Sequence, residues 1–151
     1  MNQYNIEQVI SHREPMILID GMASYTQKSA ECWVAICPES PFYQSSLSGV
    51  PSYIGIEYMA QAIAAYAGAN ALDNNEHVKI GFLLGTRKFE THTSIFKLHQ
   101  KLVIKVEELY QEESGLSVFE CTIEQEQTLL ASAKINVFQP ESPEKFIKEQ
   151  Q

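Results

Sequence analysis

Hydrophobic and polar positions alternate with a period of two over several stretches in the second half of the chain. This period is typical of strands that bury one face, so the pattern predicts long, half-buried strands. Ser114 and Gly115 are typical turn residues and separate two of them. The alternating apolar positions are Leu102, Ile104 and Val106, then Phe119, Cys121 and Ile123, then Ala131, Ala133, Ile135 and Val137.

One long helix is predicted over residues 51–72, where Pro51 suits a first helical turn and Ala, Ile, Met, Gly and Tyr dominate. Apolar residues occur all the way round this helix, which indicates either a membrane span or a buried core helix. Glu57 and Gln61 in its middle favour the core. Because they are four residues apart, their side chains are predicted to lie on one face.

The remaining elements are short. A helical turn is predicted over Ile6–Ile10, a strand over Met16–Ile19 and a second strand over Cys32–Cys37. No repeat or linker divides the chain, so residues 1–151 are predicted to form a single domain, with a partly disordered tail over about 140–151. Periodicity alone gives an α+β fold class.

The charge balance limits the kinds of partner. The formal net charge of −8 disfavours nucleic acid and anionic membrane surfaces. Basic residues gather modestly, either as a docking patch for an acidic partner or as solvated strand faces. They are Lys79, Arg87, Lys88, Lys97, Lys101 and Lys105.

Cys32, Cys37 and Cys121 have no metal-ligand spacing, and their odd number does not form a closed disulfide framework. We expect buried free thiols and no metal. The N-terminal residues are polar, unlike a signal peptide, and no apolar run has the pattern of a spanning helix. We therefore expect a cytoplasmic protein that does not bind membranes.

Three ordered motifs resemble the 3-hydroxyacyl-acyl-carrier-protein dehydratases of the FabZ and FabA type, and most closely the ApeP-type dehydratases of aryl polyene biosynthesis. The resemblance spans about Tyr4 to Phe138 and implies a dimeric hotdog fold, in which a curved antiparallel sheet with four long strands in the second half wraps the helix. The motifs are SHREPMILID at 11–20, PSYIGIEYMAQ at 51–61 and GFLLGTRKF at 81–89.

The same resemblance exposes a departure. The family carries a Gly-His-Phe-Pro segment just before the helix, and its histidine works with the helix carboxylate of the other protomer. In this chain residues 42–51 contain no histidine. His12 matches a family histidine that resembles a structural residue. His77, His92 and His99 are interpreted as surface residues, although a relocated base such as His12 or His99 is an alternative.

Dehydration of a 3-hydroxyacyl thioester needs a base for the α-proton and an acid for the departing hydroxyl. Glu57 matches the family's acid, and burial in an apolar helix would keep a fraction of it protonated near neutral pH. A structural buried carboxylate is the alternative. Gln61 is predicted either to orient Glu57 or to form plain hydrogen bonds, Gly55 to offer a backbone N–H to the thioester carbonyl, and Tyr43 and Pro51 to line the substrate site.

These residues leave three functions open. The first is a dehydratase that needs no cofactor and takes its substrate on the phosphopantetheine of acyl carrier protein. It would act as a homodimer or, since the histidine is missing, as a heterodimer with a histidine-containing homologue. The second is a hotdog thioesterase in which the helix carboxylate activates water. The third is a non-catalytic acyl-binding subunit of a dehydratase heterodimer.

Overall fold

A computed structural model describes residues 4–10, 14, 16–76 and 82–138, with two helices and eight strands. Four of the strands in the second half are long and pair only antiparallel, as predicted. The helices are α1 (Ile6–Val9) and α2 (Gly55–Asp73), with a 3-10 turn at Ser52–Ile54 before α2. The strands are β1 (Gly21–Tyr25), β2 (Ser29–Ala35), β3 (Gly49–Pro51), β4 (Phe82–Thr91), β5 (Ile95–Lys97), β6 (Lys101–Gln111), β7 (Leu116–Gln125) and β8 (Thr128–Phe138).

The strands form a six-stranded sheet in the order β1-β2-β6-β7-β8-β4 and a small β3-β5 pair. Helix α2 contacts five strands of the large sheet, from β1 through β8. Five adjacent strands span about 19 Å, whereas a helix with its side chains is about 10–12 Å wide. Contact of one helix with five strands is the arrangement expected of a sheet that curves around α2, and the predicted α+β hotdog architecture is confirmed.

Several local predictions need correction. Residues 16–19 form no strand, because the side chain of Gln61, rather than a neighbouring strand, bonds the Met16 carbonyl and the Leu18 N–H. The predicted strand over 32–37 is shifted, since β2 ends at Ala35. Pro51 belongs to β3, so the predicted helix begins later.

Other local predictions hold. The turn over Ile6–Ile10 is α1, and it begins with a capping box in which the Asn5 side chain accepts from the Gln8 N–H and the Gln8 side chain accepts from the Asn5 N–H. The predicted tail lies outside the described residues, and the single domain over 1–151 stays a prediction.

Two of the three cysteines lie in the core. Cys32 and Cys121 are fully buried and Cys37 is half-buried, all as free thiols. Burial raises the pKa of Cys32 to about 12 and raises that of Cys121 as well, with smaller contributions from Glu31 and Glu120. The buried thiols therefore stay protonated and unreactive at neutral pH.

Helix α1 rests directly on the backbone of α2. A Cβ atom on Gly68 would lie 1.8 Å from the carbonyl oxygen of Val9, so only glycine permits this approach. Because the obstacle is backbone, a larger residue would have to push α1 away. By contrast, a Cβ atom on Gly85 in β4 would meet no atom within 4 Å.

Gly68→Ala is therefore expected to lower the free energy of unfolding by about 1–3 kcal/mol, the usual cost of overpacking, even though alanine is the better helix former. Guanidinium denaturation followed by circular dichroism measures the change. Gly85→Ala is the matched control and should stay within about 0.5 kcal/mol of wild type. Equal stability of the two variants would contradict the contact.

Candidate functional site

The candidate site lies at the start of α2, next to a short strand pair. Residues of β3 pair with β5, and the Ser52 N–H donates to the Ser94 carbonyl at 3.0 Å. Pro51 has φ −57° and ψ 137°, an extended conformation compatible with its ring, directly before the 3-10 turn. Proline thus ends the strand and delivers the chain into the helix.

Gly55 faces the core. A Cβ atom there would lie 3.0 Å from Cδ1 of Ile123 and 3.2 Å from Cζ of Phe96, so glycine lets the helix start sit close to the sheet. The Gly55 N–H donates to the Ser52 carbonyl, which removes it as the predicted free donor for a thioester. The Tyr53 N–H, by comparison, belongs to the first residues of the 3-10 turn, where a helix leaves its N–H groups without an acceptor inside the helix.

Glu57 is exposed, and the prediction that the helix buries it is wrong for the single chain. A helix rotates by about 100° per residue, so Glu57 points about 200° away from the core-facing Gly55. Between Gly55 and Leu72, Glu57 is the only exposed residue. Between Gly55 and Leu72 the helix therefore presents one carboxylate to the surface and buries or half-buries its other residues.

Exposed apolar side chains accompany this carboxylate. Tyr53, one helical turn before Glu57, is 65% exposed. Large exposed apolar groups beside a polar centre mark binding surfaces. Met16 at 60%, Phe42 at 55% and Leu47 at 39% are also exposed, the last two in the loop that precedes β3. The backbones of Gln44 and Gly49 close this loop with reciprocal hydrogen bonds of 2.9 and 3.4 Å.

Gln61 is buried, with 5% exposure, and its amide is occupied by the segment before β1. Its Nε2 donates to the Met16 carbonyl at 2.7 Å, and its Oε1 accepts the Leu18 N–H at 2.8 Å. Of the two roles left open by the sequence, the structure favours hydrogen bonding to the chain. Gln61 attaches an irregular segment to the helix one turn beyond Glu57.

Tyr43 is half-buried against the core, and its N–H donates to the Ser40 carbonyl. Pro51 is buried and pairs with Ile95. The structure thus gathers Pro51, Gly55, Glu57 and Gln61 along one helix start, while Tyr43 belongs to the preceding loop. Contact of Tyr43 or Pro51 with a substrate stays a prediction.

His92 and His99 are exposed, as predicted, in the connections after β4 and before β6. His12 and His77 lie outside the described residues. Within the described residues no three His, Cys, Asp or Glu side chains gather as a metal site. None of the described helices has both the length and the apolar character needed to cross a membrane.

Sequence reasoning missed two features of this site: the Tyr53 N–H and the exposed Met16. A motif indicates which side chains occur, whereas a free backbone donor depends on where a 3-10 turn begins. Pro51 was the available signal, because proline marks the residue after which helical hydrogen bonding starts.

Comparison with known proteins identifies relatives over the whole chain. Residues 4–148 match the family model "ApeP-like: ApeP dehydratase". One subunit of the dehydratase heterocomplex ApeI:P from Xenorhabdus doucetiae superposes with a TM-score of 0.91 at 25% identity, over 99% of each chain. A hypothetical thioesterase protein with coenzyme A from Streptococcus pneumoniae shares the fold alone, with a TM-score of 0.62 at 12% identity, over 78% of this chain and 83% of that one.

Among curated proteins, 3-hydroxyacyl-[acyl-carrier-protein] dehydratase FabZ from Clostridium perfringens is 30% identical over 79 residues. The match covers 52% of this chain, and it spans 55% of the length of that relative. The chain therefore spans about half the length of the curated relatives that it matches.

The free energy of unfolding tests whether Gln61 is structural and Glu57 is not. Gln61→Leu would leave the buried Leu18 N–H without its acceptor, which costs about 1–3 kcal/mol. Glu57→Gln keeps volume at an exposed position and should change the free energy of unfolding by less than about 0.5 kcal/mol. Urea denaturation of both variants provides the measurement, and the reverse order of stabilities would assign the structural role to Glu57.

Proposed function

The chain belongs to the ApeP-like dehydratase family, and from that premise we propose that it forms, with a related subunit, a dehydratase for 3-hydroxyacyl thioesters in which Glu57 is the acid. The observation that carries this proposal is the exposure of Glu57 on a helix whose other residues are buried or half-buried as far as Leu72. Apolar Tyr53 beside it gives the carboxylate the surroundings of a binding surface.

The proposed reaction consists of two proton transfers. A base takes the α-proton, and the released electron pair forms the Cα–Cβ double bond while the Cβ–O bond breaks. The departing hydroxyl takes the proton of the Glu57 carboxyl and leaves as water. The Tyr53 N–H is the proposed donor to the thioester carbonyl oxygen, which gains negative charge as the α-proton leaves.

Side chains carry both proton transfers, so we propose that the chain uses no cofactor of its own. Its substrate would arrive on the phosphopantetheine of an acyl carrier protein. The FabZ relatives, which are 3-hydroxyacyl-[acyl-carrier-protein] dehydratases, support this substrate class.

The base is proposed to come from a partner subunit. Residues 42–51, between β2 and the helix, contain no histidine, and His92 and His99 are exposed in connections outside that segment. A histidine-containing homologue would supply the missing group. The similarity of the chain to a subunit of the ApeI:P dehydratase heterocomplex supports a heterodimer.

Strand β4 is the proposed subunit contact. It is an edge of the sheet and ten residues long, whereas the other edge, β1, has only five residues. A long edge strand exposes unpaired backbone groups that another strand satisfies. Pairing there would extend the sheet into the partner.

Charge on the outer face of the sheet supports a proposed docking surface for the carrier. Glu107 lies opposite Glu120, Glu120 opposite Lys134, and Lys134 opposite Arg87, so acids and bases separate along one row. Like charges directly opposite each other are destabilising, and an anionic partner offsets that cost. Arg87 and Lys88 are exposed beside Lys134, and together they form the basic patch that we propose for an acidic carrier.

Mixing the chain with a homologue that retains the motif histidine is expected to restore dehydration, measured by mass as loss of water from a 3-hydroxyacyl carrier protein. Glu57→Gln in this mixture should lower the turnover rate by about 10²–10⁴-fold, because the proton donor is lost. A His→Ala change in the partner's motif should lower it comparably.

The isolated chain is the control for this assay, and it is expected to be slow or inactive. Full dehydratase activity of the pure chain alone would contradict the pairing. Hydrolysis of the thioester without dehydration would instead identify a thioesterase. If Glu57→Gln and the wild type were equally active in the mixture, Glu57 would not be the acid.

The basic patch makes a separate prediction. Arg87→Glu together with Lys134→Glu is expected to raise KM for the carrier-bound substrate about 10-fold at low salt, with much less effect at high salt, where charges are screened. KM for a small free thioester should not change. Lys28→Glu is the matched control, because Lys28 lies in the β1–β2 turn, near the edge of the sheet opposite β4. Equal effects on both substrates would exclude a docking role.

A further inference from the structure

Met16 stands with an exposed side chain at the start of a buried run. It is 60% exposed, whereas Ile17, Leu18 and Ile19, which follow it, are 6%, 7% and 2% exposed. A methionine is flexible and polarisable, and it adapts to apolar ligands of different shape. Its side chain is thus available for contact with an apolar ligand, while the three residues that follow it belong to the core.

Gln61 fixes the position of this residue. Because the Gln61 amide contacts the Met16 carbonyl at 2.7 Å and the Leu18 N–H at 2.8 Å, it holds the backbone on both sides of Ile17. Residues 16–20 belong to no strand, so these side-chain bonds replace a strand ladder at this place. The exposed Met16 is therefore attached to the helix at the level of Gln61.

The helix orders the candidate groups along its axis. Tyr53, Glu57 and Gln61 follow one another at intervals of four residues, about 6 Å each, so the first and the last are about 12 Å apart. A thioester carbonyl at the Tyr53 N–H would place the reacting carbons near Glu57. The acyl chain would then continue toward the Gln61 level, where Met16 is exposed.

We propose that Met16 contacts the acyl chain beyond the reacting carbons and sets the preference for chain length, with Gln61 as its positioning residue. This inference rests on the proposed dehydratase function and on the proposed direction of the substrate along α2. The occupant of the exposed Met16 surface is then an apolar acyl chain. A partner side chain covering Met16 is the competing occupant.

The test uses the complex of this chain with its histidine-containing partner and two carrier-bound probes, 3-hydroxybutyryl and 3-hydroxydecanoyl. Met16→Ala is expected to lower kcat/KM for the long probe by roughly 10-fold, because an apolar contact of a few methylenes is lost. For the short probe, which ends before the Met16 level, kcat/KM should change less than about twofold. Leu129→Ala, at another exposed apolar position in β8, should leave both values unchanged.

Two further measurements separate the outcomes. Gln61→Glu keeps the acceptor for Leu18 and loses the donor to Met16, so it should show the same selective loss; a uniform loss for both probes there would overturn the positioning role. Equal effects of Met16→Ala on the two probes, or weaker association with the partner in size-exclusion chromatography, would overturn the specificity role. Failure of the unmodified complex to dehydrate either probe would overturn the proposed function, and this inference with it.

Discussion

The need to bury a helix that is apolar on every side determines most of this structure. Helix α2 has no continuous polar face that could be left in solvent, and five strands contact it. Close approach requires small groups at the contacts, which explains Gly55 against Phe96 and Ile123, and Gly68 against Val9. Sheet curvature, the seat of α1 and the tight helix start all satisfy this one requirement.

The same constraint makes Glu57 conspicuous. A carboxylate is costly to bury without partners, and the single chain avoids that cost by turning Glu57 outward beside Tyr53. Gln61, one turn later, is buried instead, since the nitrogen and the oxygen of its side-chain amide both bond the backbone of the segment before β1. Two polar residues four apart thus have separate tasks, one toward the surface and one toward the chain.

Sequence pattern predicted the elements that repeat over many residues. The period-two strands and the apolar helix emerged because their hydrophobic positions are set by long, regular burial. The predicted strand over Met16–Ile19 is wrong, because a short apolar run does not reveal that a side-chain amide, rather than a neighbouring strand, satisfies its backbone. The exposure of Glu57 was missed for a related reason. The composition of a helix indicates that most of it is buried, but it does not indicate which single residue faces the solvent. The Tyr53 N–H depends on the position of the 3-10 turn, and the spacing of hydrophobic residues along the sequence does not predict that position.

The loop between Phe42 and Gly49 has an evolutionary consequence. It is closed by backbone hydrogen bonds between Gln44 and Gly49, which most side chains leave intact. If acid–base chemistry in this region rests with another subunit, selection on the side chains of this loop is relaxed as long as its closure persists. Among relatives of this chain, the loop should therefore diverge faster than the helix start that it precedes, and gene copies that lose the partner should lose Glu57 next.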